Sequence, residues 1–168
     1  EHSGFVFLRS DLDPPVEIPA LAQFVSKTER GTTLSKEGVE IQTTEHILAA
    51  LIGCEIHNCI IEINGTEVPI MDGSSKPFVE AIQNTGVQVQ EALQEVFVVQ
   101  ENIHIADEVT GSEILIVPAE ETSLTVMIDF ETKVLGTQNA VLHKLEDFPS
   151  EIASSRTFSF LHELEMLL

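Results

Sequence analysis

Tryptophan and tyrosine are absent from the 168 residues, so every aromatic contact falls to nine phenylalanines. Cations are scarce: eight Lys and Arg stand against 28 Asp and Glu, a formal charge of −20. Nucleic acid and anionic membrane surfaces are polyanions that need a basic patch. Arg9, Lys27, Arg30, Lys36, Lys76, Lys133, Lys144 and Arg156 nowhere gather in fours, which excludes both partners. Two cysteines, Cys54 and Cys59, make no disulfide framework and point to a reducing, cytoplasmic setting. No apolar run approaches the roughly 18 residues of a membrane span. The opening Glu1-His2-Ser3-Gly4 has neither the cationic start nor the apolar stretch of a secretory signal. With no initiator Met at its start, the chain is expected to be an excised or processed piece.

Apolar residues are well supplied. At 43% hydrophobic and a mean hydropathy of +0.15 the chain is too apolar for an acidic disordered tail. Its length suits one or two compact domains with a real core. Asp11 to Pro15 reads as a turn beside a short edge piece at Val16 to Ile18, and Arg30-Gly31 divides two β-prone segments. Lys36-Glu37-Gly38 reads as a turn before a strand at Val39 to Ile41. Ile47, Leu48, Leu51 and Ile52 then recur at helical spacing, with Thr43 or Thr44 as cap and Gly53 as stop. Cys59 to Ile63 reads as a strand, Asn64-Gly65 as a type I′ turn, and Thr66 to Met71 as an edge strand that carries Pro69.

A second helix is expected after Asp72-Gly73-Ser74-Ser75, with Phe78, Val79 and Ile82 inward and an end by Gly86. Residues 86–94 are polar and Gln-rich, the best candidate linker. Strands are expected at Val96 to Val99, Ile103 to Ile105 and Ile114 to Val117. Ser123 to Glu131 alternates, placing Leu124, Val126, Ile128 and Phe130 on one face. A helix near Ser150 to Ala153 and another begun by Leu161, Leu164 and Leu168 follow, the last still running at Leu168. The class is α+β: two sheet-plus-helix layers, 1–88 and 95–168, the second incomplete.

Two constellations could carry chemistry. Glu45-His46 lies in the opening turn of an otherwise apolar helix. Adjacent helical residues diverge by about 100°, so a metal on His46 would leave Glu45 beside it, in the position of a general base. A first-turn acid with an exposed His next to it is equally an ordinary helix start, and spacing alone leaves both readings open. Ala50 stands four residues past His46, so the paired-His helix of many zinc proteases is missing. The second, Cys54-x-x-His57-x-Cys59, fits no usual zinc knuckle; its thiols read as small packed side chains. No G-x-S-x-G, Walker or G-x-G-x-x-G pattern occurs.

The string Thr44-Glu45-His46-Ile47-Leu48-Ala49-Ala50-Leu51 is nonetheless specific. So are Asn64-Gly65-x-Glu67-Val68-Pro69-Ile70-Met71-Asp72-Gly73-Ser74 and Ser155-Arg156-Thr157-Phe158, with Asp11-x-Asp13-Pro14-Pro15-Val16-x-Ile18-Pro19-Ala20 before them. Together, and in this order, they resemble the LpxC family of UDP-3-O-acyl-N-acetylglucosamine deacetylases over nearly the whole chain.

The resemblance implies a zinc-dependent amidase of lipid A biosynthesis, with its site between two similar α+β domains. It makes Glu45 the general base and His46 a Zn²⁺ ligand. Thr157 and Phe158 flank the substrate, the Thr157 hydroxyl helping to polarise the scissile carbonyl, and Asp72 is structural. The family's remaining ligands, an H-x-x-x-D pair, and its oxyanion-stabilising His and diphosphate-binding Lys residues fall beyond Leu168. One ligand cannot hold a catalytic zinc, so the chain alone is expected to be inactive. Two rivals remain: a non-catalytic truncated module, and the N-terminal part of a bifunctional deacetylase and hydroxyacyl-carrier-protein dehydratase.

Overall fold

A computed structural model describes residues 2–94, 96–130 and 132–160. The expected helix begun by Leu161 lies outside the described residues. The fold is α+β, and the chain packs as two compact units: Glu1–Ala92 with Leu145–Leu168, and Leu93–Lys144. Residues 145–160 thus group with the first unit.

The first unit holds two three-stranded sheets. In one, β1 (Phe5–Arg9) is central, antiparallel to β2 (Val16–Pro19) and parallel to β6 (Cys59–Ile63). Alternation sends Phe7 and Arg9 inward. The register sets Phe7 opposite both Ile18 and Ile61, so one row of core residues crosses the sheet. In the other sheet β3 (Val25–Lys27), β4 (Thr33–Lys36) and β5 (Val39–Ile41) form an antiparallel meander. Its β4–β5 turn has Glu37 and Gly38 at φ 54° and 82°, the left-handed pair that a two-residue hairpin needs. Leu34 faces Ile41 across that pair.

Phe7, Ile18, Leu34, Ile41, Leu51, Ile61 and Val68 form one buried cluster. Each such side chain stabilises the fold by about 1.5–3 kcal/mol relative to exposure. Arg9, only 5% exposed, joins the sheets: Nη1 donates to the Glu40 carbonyl at 2.8 Å and the fork pairs with Asp11.

Helix α1 (Glu45–Gly53) turns Leu51 into this cluster, with Ile47 and Leu48 packed against it. Its buried Gly53 lies against the Phe148 ring, at the start of α3 (Phe148–Glu151). Helix α2 (Lys76–Thr85) buries Val79, packs Phe78 and Ile82 on the core, and ends at Gly86 with φ +80°.

Four expectations change. Neither Thr43 nor Thr44 caps α1 with its side chain; the Thr44 hydroxyl instead donates to the Thr32 carbonyl. Neither Asn64 nor Gly65 has positive φ, so no type I′ turn follows β6. Because β6 pairs in parallel with β1, the chain runs on without a return strand, and 66–71 keeps only a bridge between Gln42 and Glu67. Val96 to Val99 is not a strand.

The second unit is two antiparallel hairpins, β7 (Ile103–Ala106) with β8 (Glu113–Ile116), and β9 (Leu124–Asp129) with β10 (Thr137–Leu142). Asp107 ties the first turn by accepting from the Val109 amide and the Thr110 hydroxyl, both at 2.9 Å. Every residue of β7, β8 and β9 is exposed. The alternation of Leu124, Val126 and Ile128 is present, but no layer covers it among the described residues. No helix among the described residues is long and apolar enough to cross a membrane.

Candidate functional site

Thr32 and α1 fasten the site together. The Thr32 amide donates to Glu45 Oε2 at 2.9 Å. Its carbonyl accepts from the Thr44 amide at 3.2 Å and from the Thr44 hydroxyl at 3.1 Å. Thr44 is completely buried, so both of its donors need that acceptor. Glu45 is therefore held at the first turn of α1, where the positive helix end favours a carboxylate. Gly31 lies against the other oxygen: a Cβ there would sit 3.3 Å from Oε1 and 3.8 Å from the Thr43 hydroxyl.

These groups open on a groove of about 740 Å³, lined by Thr28, Arg30 to Thr32, Glu45 and residues 157–160. Residues 157–160 are held from below. The Thr157 amide donates to the Gly73 carbonyl at 2.8 Å, and the Thr157 methyl packs near the bare Gly73 Cα, which has φ +82°. Gly73 belongs to the turn that Asp72 organises. Asp72 Oδ1 accepts from Ser74 Oγ at 2.7 Å and from its amide at 3.1 Å, with Arg156 3.9 Å from Oδ2. The Ser74 hydroxyl, then its amide and the Arg156 charge, hold the Asp72 carboxyl below the usual range against an opposing effect of burial. Phe158 and Phe160 meet edge to face, centroids 5.5 Å apart. Arg30 Nη2 donates to Ser159 Oγ at 2.9 Å across the groove.

The groove gathers Glu45, Thr157 and Phe158 from positions more than a hundred residues apart in sequence. His46, one residue on, is half-buried and is not among the residues lining it. Imidazole is a suitable metal donor, but no three His, Cys, Asp or Glu side chains come together as a metal site among the described residues. The described residues therefore form no complete set of the three protein ligands that a catalytic zinc needs. Cys54 and Cys59 are half-buried free thiols, both pushed up by burial, as packed side chains are.

Sequence reasoning did not assign Arg30, Gly31, Thr32, Ser159 or Phe160 to the site. Arg30-Gly31 was visible as a break between β-prone segments. Only the fold shows that the break lies against Glu45.

The class so defined is an α+β protein whose carboxylate, anchored at a helix start, opens on a groove with a Thr and two Phe. The sequence model of LpxC, described as UDP-3-O-acyl N-acetylglycosamine deacetylase, matches residues 1–168. A bifunctional enzyme LpxC/FabZ of Bacteroides thetaiotaomicron is 40% identical over all of this chain and 36% of its own length. UDP-3-O-acyl-N-acetylglucosamine deacetylases of Myxococcus xanthus and Hahella chejuensis are 43% and 40% identical over 98% of the chain. The chain covers 52% and 55% of those two proteins. It belongs to the LpxC family, and spans between about a third and just over half of these curated relatives.

Proposed function

We propose that the chain is part of an enzyme that hydrolyses the 2-acetamido group of UDP-3-O-acyl-N-acetylglucosamine, releasing acetate and the free amine in lipid A biosynthesis. The observation that carries this is the anchored Glu45 carboxylate on a groove walled by Thr157 and Phe158, in a chain that belongs to this family. In the whole enzyme, residues 1–88 and 95 onward would belong to two similar layered domains acting in the cytoplasm. His46 would supply one Zn²⁺ ligand, the others coming from polypeptide outside the 168 residues. When bound, zinc supplies a lowered water pKa and polarisation of the carbonyl.

The chain's own residues do the rest. Glu45 takes a proton from the attacking water as the C–O bond forms. Thr157 donates its hydroxyl to the carbonyl oxygen as negative charge develops there. Phe158 holds the substrate against the groove wall. As the C–N bond breaks, the proton held on Glu45 is available to the leaving amine.

The test is a pair of variants in the full-length enzyme. Glu45→Gln is expected to lower kcat by about 10²–10⁴-fold with zinc content unchanged. His46→Ala is expected to lose the metal. Equal zinc loss in both would end this division of roles. A second reading rests on the relatives named LpxC/FabZ: the parent would also carry a hydroxyacyl-carrier-protein dehydratase. The length of the parent chain decides between them.

A further inference from the structure

Thr43, two residues before Glu45, has φ +58°. A β-branched residue is a true outlier in this left-handed region, because its Cγ atoms crowd the backbone. Something must hold it there. Its hydroxyl donates to Glu67 Oε1 at 2.8 Å, from a segment 24 residues further on. The main chain is clamped on either side of that bond: the Gln42 amide donates to the Thr66 carbonyl at 2.9 Å, and the Val68 amide to the Gln42 carbonyl at 3.0 Å. Val68 is itself a core residue, so the clamp is fixed to the buried cluster. The Thr43 hydroxyl also borders Gly31 on the side where Glu45 Oε1 does.

We propose that Thr43 and Glu67 are a positioning pair that sets the direction in which the chain enters α1, and so the aim of the Glu45 carboxylate into the groove. If Thr43 relaxes to negative φ, the entry to α1 turns. Thr44 then leaves the Thr32 carbonyl, and Glu45 leaves the Thr32 amide. Glu67 acts as a hydrogen-bond acceptor and not as a charge, because its partner is a neutral hydroxyl. The consequence for turnover rests on reading Glu45 as the base.

The test uses the full-length, zinc-loaded enzyme and reads kcat, KM and amide hydrogen exchange at Thr32. Thr43→Val keeps the branched shape without the donor, and Glu67→Ala removes the acceptor. Both should speed exchange at Thr32 and lower kcat on the order of 10-fold to 10²-fold, as small misplacements of reacting groups do. KM should stay within about twofold, because binding contacts are untouched. Thr43→Ser and Glu67→Gln keep donor and acceptor and should restore both readouts. If Thr43→Val fails to fold, the contrast between Glu67→Ala and Glu67→Gln decides. Unchanged exchange, unchanged kcat, or equal losses in the Ser and Gln variants would each overturn the proposal. Exchange at Thr32 reports where Glu45 sits whatever Glu45 does, and Glu45→Gln reports its role separately.

Discussion

Asp72 shows how a side chain with no expected chemical role shapes the site. It fixes the Ser74 hydroxyl and amide, and the Gly73 carbonyl in the same turn fastens the Thr157 amide. Its carboxyl is held low, chiefly by the Ser74 hydroxyl, so the folded state binds its proton less readily than the unfolded chain does. That contribution to stability is complete above the ordinary carboxylate pKa and is lost as pH falls through the lowered one. The melting temperature of wild type should therefore exceed that of Asp72→Asn at neutral pH, and the gap should close below about pH 4. A gap that persists unchanged to pH 2 would mean that the charge on Asp72 contributes nothing. The motif Asp72-Gly73-Ser74 was legible as a helix-starting turn. Its hold on Thr157, through the Gly73 carbonyl 84 residues away, was not, because a main-chain bond to a carbonyl leaves no mark on the identity of either partner.

Helix α1 was the most readable element: of Ile47, Leu48, Leu51 and Ile52 at helical spacing, the first three reach the core and Ile52 is exposed. Its cap was misread for a definable reason. A threonine hydroxyl before a helix can accept from a first-turn amide or donate to a carbonyl, and at Thr44 the bond made is the donation to the half-buried Thr32 carbonyl. Gly53 was read as the stop; it is the last helical residue, and what it does there is make room. Alanine is the better helix former by about 1 kcal/mol, yet its Cβ would overlap the Phe148 ring. Overpacking of this kind costs about 1–3 kcal/mol and should win. Gly53→Ala should lower the melting temperature, and adding Phe148→Leu should recover part of the loss. A more stable Gly53→Ala would show that the ring moves aside freely. The strands β1 and β10 had no reading at all: Phe5 to Leu8 is apolar throughout and does not alternate, and Thr137 to Leu142 has little alternation.

At the scale of the whole chain, period and composition speak of different things. Alternation in β9 predicted which residues share a face, and they do, but period says nothing about what lies on that face. Net charge is a property of the sum, and −20 on 168 residues opposes compaction whatever the fold. Screening shortens the reach of that repulsion to about 8 Å at 0.15 M salt. The melting temperature at neutral pH should rise between about 0.01 M and 0.15 M NaCl. A flat or falling profile would show that local pairs such as Arg9–Asp11 outweigh the total.

The parallel pairing of β1 with β6 also sets an order of events in time. Phe5 lies opposite Cys59, so the central strand of this sheet gains that neighbour only once more than fifty residues have followed it. At about 5–20 residues per second of synthesis, β1 waits some seconds beside β2 alone. The bonds from Thr32 to Glu45 and Thr44 lie inside the loop that β6 then closes, whereas the Thr43–Glu67 bond needs chain that follows β6. The carboxylate's anchorage thus draws on near neighbours within the loop and on the segment just past the distant strand. Closure of a long loop is the slow step in such a topology.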